Sequence, residues 1–221
     1  MNLDEMLCCA EENAIKAEIE KFSTFDEVVR WSRENGLEQS EIVKKKIQEL
    51  QSEQECKETS MNGEEYEFFW GNNSVFSQWY RCVMIIDGIR YSCAEQYMMY
   101  QKAILMGDKE SAQIILSTQD PREQKRLGRH VKHFKQDLWN KKCQIIVKKG
   151  NTEKFRQNQK LAEALIATYP KIIVEASPFD KIWGIGLRSS DKRAKNKKEW
   201  KGKNLLGFIL TAVRDEIMSK R

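Results

Sequence analysis

Up to residue 58 the apolar positions recur at helical intervals on a heavily charged background, and proline is absent. Leu3 to Lys21 is rich in Ala and Glu. Ser23-Thr24-Phe25-Asp26 has the composition of a helix start, and Gly36 is a plausible stop for the stretch from Glu27. Glu38 to Lys57 carries a third helical run with Ile42, Ile47 and Leu50. With Val28, Val29 and Trp31 these residues form a stripe that predicts burial against the main domain, a second copy or a protein partner. Glu53 to Glu64 is polar and reads as a linker. It sets a boundary near residue 60 between an α-helical appendage, 1–60, and a main domain, 61–221.

Beyond that boundary short β-branched and aromatic runs alternate with helical ones. Tyr66 to Trp70 reads as a strand, and Val83 to Ile86 and Ile89 to Tyr91 flank Asp87-Gly88, a strong hairpin signal. Ser92-Cys-Ala-Glu95 has capping-box spacing and opens a predicted helix over Cys93 to Met106 that stops at Gly107. Further helices are expected over Pro121 to Gly128, Phe134 to Phe155 with a break at Gly150-Asn151, and Asn158 to Thr168. Lys171 to Val174 has the character of a buried strand, and a final helix begins after Asn204, a good N-cap. The pattern predicts an α+β fold, mostly α-helical, with a small β-sheet and the N-terminal helical appendage.

Composition narrows the class. A hydrophobic content of 40% in 221 residues supplies a core for one ordinary domain plus an appendage. No run approaches the roughly 18 apolar residues of a membrane span, and the first residues lack the basic-then-apolar order of a secretory signal. A cytoplasmic protein without a membrane partner is expected. Cys8, Cys9, Cys56, Cys82, Cys93 and Cys143 contain no Cys-x-x-Cys pair, and His130 and His133 stand apart from them, so free thiols are expected and neither metal nor cofactor is. The net charge of +5 is unevenly placed. Residues 1–60 hold 15 acidic and 8 basic residues, and 61–221 hold 18 acidic and 30 basic. The basic main part suits an anionic ligand such as phosphate, dinucleotide or nucleic acid, or else presents a solvated face.

Candidate chemistry gathers in Glu175 to Leu187, where two carboxylates, Glu175 and Asp180, accompany Trp183, Gly184 and Gly186 just after the predicted strand. The glycines permit close backbone approach to a ligand and the indole offers a stacking face; a turn with a core tryptophan is the other reading. Glu95 is either a structural cap or a carboxylate poised near a helix N-terminus, and Met98, Met99 and Lys102 share its face at i+3, i+4 and i+7. Arg129 is placed to grip phosphate or to sit on the surface. Arg188 to Lys203, with eight basic and two acidic residues, reads as a flap over an anion, a nucleic-acid contact or a solvated loop.

A set of fragments then falls in a telling order: Phe76-Ser-Gln-Trp-Tyr80, Tyr91-Ser-Cys-Ala-Glu95-Gln-Tyr97, Gln101-Lys102-Ala103, Gly128-Arg129, Trp139, Lys154-Phe155-x-Gln157-Asn158, Glu175-Ala-Ser177, Asp180, Trp183-Gly-x-Gly186 and Gly202-x-Asn204-Leu-Leu-Gly207. Across residues 66–217 this resembles the YbiA-like, or NADAR, N-glycosidase family. Gln78 departs from it, since the family more usually has Asn there. The resemblance implies a compact, mostly helical YbiA-like fold and hydrolysis of a ribose C1–nitrogen bond. The substrate would be either an ADP-ribosylated guanine base in nucleic acid or a ribosylaminopyrimidine phosphate of riboflavin synthesis.

Such a reaction needs an anion near C1, an activated water and a proton for the leaving base. Glu95 and Asp180 are the expected carboxylates. Lys102 supports a competing route in which a neutral amine attacks C1 and opens the sugar to a Schiff base. Trp183, with Trp70 or Tyr97, would stack on a base; Arg129 and Asn204 would hold phosphate or ribose; Gln78, Glu175, Gly184 and Gly186 complete the expected substrate contacts. The other functional class is a catalytically inactive module that binds ADP-ribose or a nucleotide.

Overall fold

A computed structural model describes residues 12–61 and 65–220, with side chains over 12–51 and 65–220. The chain forms two units, Met1–Glu64 and Glu65–Arg221.

In the first unit, α1 is described over 12–19, and the reading over Leu3 to Glu11 lies outside the described residues. α2 (Phe25–Glu34) opens with a reciprocal capping box between Thr24 and Glu27. α3 spans Glu41–Met61. The polar run from Glu53 is therefore helical as far as Met61, which corrects the linker reading: Glu, Gln and Lys are good helix formers, and polarity alone does not end a helix. Ile19, Val28, Val43 and Leu50 are buried together, with Trp31, Ile42 and Ile47 packed around them. The apolar stripe thus closes a small core within its own unit.

The second unit carries two short sheets on a helical body. β1 (Tyr66–Phe69) pairs in parallel with β4 (Ile172–Glu175), Phe69 opposite Glu175. β2 (Met84–Ile86) and β3 (Ile89–Tyr91) form the antiparallel hairpin. Asp87 and Gly88 both take positive φ, as a type I′ turn demands. The helices are α4 (Ala94–Leu105), α5 (Lys109–Ser117), α6 (Pro121–Arg129), α7 (Gln136–Arg156), α8 (Gln159–Ile166) and α9 (Leu205–Met218). α4 is buried along most of its length, and Tyr97, Met98, Tyr100 and Ala103 join Phe155, Leu165, Leu206 and Leu210 in one core. Among the described residues no helix is long and apolar enough to cross a membrane.

Two readings of α6 and α7 need correction. α6 runs through Gly128 to Arg129; Gly128 sits where an added Cβ would lie 2.0 Å from the Met99 sulfur, so it lets α6 approach α4 and does not terminate the helix. α7 is unbroken across Gly150-Asn151. Gly150 makes room for the Tyr97 ring, which an added Cβ would meet at 2.6 Å, and Asn151 bonds back to the Val147 carbonyl at 2.9 Å.

α7 also fixes the segment between β1 and β2. Lys154, fully buried, donates to the Ser77 carbonyl at 2.7 Å, and burial lowers its pKa to about 8. The Gln157 amide donates to the Ile85 carbonyl and accepts from the Ile85 N–H, both at 2.8 Å, imitating a strand partner for β2. Asn158 donates to the Val83 carbonyl at 3.0 Å. The Lys154 to Asn158 fragment is thus a clamp on that segment.

Candidate active site

The site begins with how α4 starts. The predicted capping box is not formed: Cys93 is the N-cap and makes no side-chain cap bond. Gln96, one residue later, accepts from the Ser92 N–H at 2.7 Å and donates to the carbonyls of Ile115, Leu116 and Thr118. Buried Gln124 reinforces this by donating to Thr118 and Ser92. Satisfying the helix start through Gln96 leaves the Glu95 carboxylate for other work. Its main-chain N–H is tied to the Gln78 carbonyl at 2.9 Å, which seats the Ser77–Trp79 turn against the helix.

Glu95, Met98, Met99 and Lys102 all line one cavity of about 660 Å³. The turn after β1 adds Trp70, Gln78 and Trp79; α6 adds Lys125 and Arg129; α7 adds Trp139; and the segment after β4 adds Glu175, Ser177, Phe179, Asp180, Ile182 and Trp183. Residues far apart in the chain therefore meet here.

Glu95 is 5% exposed. Burial raises its pKa to about 7 and Asp180 pushes the same way, against the pull of Lys125, the nearby Trp79 side chain, and Arg129. Glu175 is also raised to about 7, first by burial, then by the charges of Asp180 and Glu95, with Lys125 opposing. Its Oε2 is buried and has no hydrogen-bond partner. Lys102 donates to the Gly128 carbonyl at 2.7 Å and lies 4.3 Å from the Phe134 ring centre; burial lowers its pKa, partly offset by Glu95. Lys125 stands 5.7 Å over the Trp79 ring. Trp70 and Phe179, 52% and 81% exposed, tilt against each other at the rim with ring centres 6.4 Å apart.

Some expected site residues do other work. Tyr97 is buried in the core edge-on to Tyr91 at 5.2 Å, because its position on α4 points it away from the face of Glu95. Asn204 has no exposed surface. Although it precedes α9 it caps nothing; in a left-handed conformation, φ 50°, it accepts from the Glu175 N–H and donates to the Ile173 carbonyl, both at 3.0 Å. Gly184 and Gly186 do not line the cavity. An added Cβ at Gly184 would lie 2.8 Å from the Glu175 carbonyl oxygen, and Gly186 takes φ +68° beside Lys201, so both serve close backbone packing. The Asp180 Oδ1 accepts from the N–H groups of Ile182 and Trp183, each at 2.8 Å, and so also shapes its own turn. The basic segment folds into two 3-10 turns, Lys192–Lys195 and Lys197–Glu199, and none of its residues lines the cavity.

Sequence reasoning missed Lys125 and Phe179, and it counted Trp79 and Trp139 among the fragments of the family resemblance without giving them a place in the site. Lys125 had a usable signal, since it precedes Arg129 by four residues on one helix and shares its face. Trp79 had its place in the Phe76 to Tyr80 fragment, but its position near Glu95 depends on how the turn is folded.

Known proteins are similar to this chain in sequence, and one solved structure is similar in fold. The NADAR domain profile matches residues 68–218. An N-glycosidase of Acanthamoeba polyphaga mimivirus is 41% identical over 167 residues, covering 71% of this chain and 98% of the viral one. The protein irg-1 of Caenorhabditis elegans is 40% identical over 135 residues, covering 60% of this chain and 64% of the worm protein. The NMR structure of the Escherichia coli protein YbiA has the same fold, with a TM-score of 0.60 and 24% identity over 71% of this chain and 87% of that one.

Proposed function

The chain belongs to the NADAR domain family, and on that footing we propose that it is an N-glycosidase that hydrolyses the bond between ribose C1 and a base nitrogen, with ADP-ribosylated guanine in nucleic acid as its substrate. The observation that carries the reading is the convergence of buried Glu95 and half-buried Glu175, whose Oε2 is shut off from solvent, with Lys102 in one aromatic-lined cavity.

Breaking the C1–N bond leaves an oxocarbenium-like ribose, which an adjacent anion stabilises. Glu95 is the residue for this. With its pKa near 7 it is partly ionised at neutral pH and is also basic enough to take a proton from the attacking water. A preorganised charge of this kind is worth about 3 kcal/mol in the barrier. Asp180 shapes the opposite wall, and Lys125 and Arg129 supply positive charge for phosphate. A burial-lowered Lys102 remains the nucleophile of the alternative, Schiff-base route.

Two tiers of rings favour the larger substrate. Trp79 lies beside Glu95, where the scissile base would sit, while Trp70 and Phe179 form a second platform at the rim. A ribosylaminopyrimidine phosphate has one ring and leaves the rim unused. A module that only bound a polyanion would gain nothing from burying carboxyl groups, whose desolvation is costly. Basic residues at 188–203 would hold the nucleic acid that carries the modified base.

The test is to incubate the purified protein with DNA bearing ADP-ribosylated guanine and, separately, with a ribosylaminopyrimidine phosphate. Free ADP-ribose is expected from the first. Release of ribose 5-phosphate from the second alone would reassign the substrate, and tight ADP-ribose binding without turnover of either would replace the enzyme with a binding module.

A further inference from the structure

We propose that Glu175 is the general acid of this site, giving its carboxyl proton to the departing base nitrogen while Glu95 takes a proton from the attacking water. The inference rests on the N-glycosidase reading and extends it to the second proton transfer. A base nitrogen leaving as an anion is a poor leaving group, so a donor on its side of the bond is required.

The geometry separates the two carboxyl groups. At Glu95 burial works against the anion, while the positive charges of Lys125 and Arg129 and the nearby Trp79 side chain work for it. Glu175 has no such support at Oε2, which is buried without a hydrogen-bond partner. A buried carboxylate oxygen left unpaired costs more than a neutral one, so the environment favours a protonated carboxyl with an O–H to offer a ligand. Both carboxyl groups stand near 7, so both protonation states are accessible at neutral pH, and their partners separate the roles: Lys125 and Arg129 act on Glu95, while Glu175 has Lys125 alone and an unpaired buried oxygen. The charged groups lining the cavity around Glu175 are Glu95 and Lys102 from α4, Lys125 and Arg129 from α6, and Asp180 from the turn after β4. Asp180 and Glu95 both favour the proton on Glu175, and Lys125 opposes them.

The position of Glu175 is also fixed. Its N–H donates to Asn204 at 3.0 Å, its carbonyl accepts from the Ile185 N–H at 2.9 Å, and Phe69 stands opposite in the sheet. Asn204 is thus a positioning residue, holding the strand end from which the acid projects.

The step balances. The C1–N bond breaks and its electron pair goes to nitrogen, which receives the Glu175 proton. The water oxygen bonds to C1 and its proton passes to Glu95, and exchange with solvent then returns Glu175 to the acid and Glu95 to the anion.

The experiment measures kcat/KM against pH for the wild type, Glu175→Gln and Glu175→Asp, on whichever N-glycoside the wild type hydrolyses, with circular dichroism and thermal melting as controls of folding. The wild-type rate is expected to fall on the alkaline side as the acid loses its proton. Glu175→Gln should lose that limb and about 10²- to 10⁴-fold of the rate. Glu175→Asp should keep the limb at a reduced rate, and it decides the matter alone if the glutamine variant does not fold. An alkaline limb unchanged in Glu175→Gln, a rate within a few-fold of wild type, or a limb abolished in Glu175→Asp overturns the assignment while leaving the N-glycosidase reading in place. A wild type that hydrolyses no N-glycoside removes that reading, and the acid with it.

Discussion

Gly207→Ala adds one methyl group to the first turn of α9, and two effects oppose each other. Alanine is the better helix former by about 1 kcal/mol. Its Cβ, however, would lie 2.1 Å from the Ile173 carbonyl oxygen and 2.4 and 2.5 Å from the Asn204 amide atoms, and at least the first of these contacts is with backbone that cannot rotate away. β4 and α9 must separate. Separation stretches the bonds from Asn204 to Ile173 and from Glu175 to Asn204, worth about 1 kcal/mol each net, and the overpacking itself costs about 1–3 kcal/mol. The clash wins. A net loss of about 2–4 kcal/mol is expected, which corresponds to a melting temperature lower by about 4–16 °C in a unit of this size. Urea unfolding followed by tryptophan fluorescence measures it, since five of the six tryptophans lie between residues 65 and 221. Hydrolysis assayed at a temperature where the variant is folded should also fall, because the same separation moves Glu175. A variant as stable as the wild type or more so would show that propensity prevailed and that the close approach of β4 to α9 is no constraint.

Other outcomes follow from the same geometry. Glu95→Gln should keep the fold by circular dichroism and lose at least about 10²-fold of hydrolysis. It should also flatten the dependence of stability on pH. Glu95 keeps its proton up to about 7 in the folded protein against an ordinary 4.5, so the folded state binds more protons between those values and stability falls as pH rises across them. Urea midpoints at pH 4.5 and 8 that move in parallel for both proteins would contradict the burial of that carboxyl group. Lys102→Met should stay within about 10-fold of the wild-type turnover on the water route, and a loss of about 10²-fold or more would favour the Schiff-base route in which its amine attacks C1. Trp70→Ala or Phe179→Ala should raise KM for the ADP-ribosylated substrate about 5- to 150-fold, in line with about 1–3 kcal/mol of stacking, with kcat little changed; a fall confined to kcat would argue against a rim platform.

Much of this was legible in the chain. The hairpin came from Asp87-Gly88, because the turn needs positive φ at both positions, and the shared face of Glu95, Met98, Met99 and Lys102 came from helical spacing alone. Local chemistry also singled out Glu175, Asp180 and Trp183, all of which line the cavity. Contacts across the fold were not legible. Nothing local distinguishes Asn204 as a clamp on β4 from Asn204 as a helix cap, since the amide serves either partner and only the approach of Ile173 and Glu175 decides between them. Capping-box spacing gave Glu95 to the helix backbone, but the buried network of Gln96 and Gln124 took that duty and left the carboxyl group in the cavity.

The sequence by itself determined the helices, the hairpin, the membership of the cavity's α4 face and the family resemblance, because each is written in spacing or in residues close along the chain. Tertiary structure alone decided that Glu175 and Glu95, eighty residues apart, occupy one cavity, and that Lys125 and Arg129 act on Glu95 while Glu175 has a buried oxygen without a hydrogen-bond partner. The physical reason is that a carboxyl group's proton affinity depends on burial and on charges within a few ångströms, and those neighbours come from segments brought together only when the chain folds.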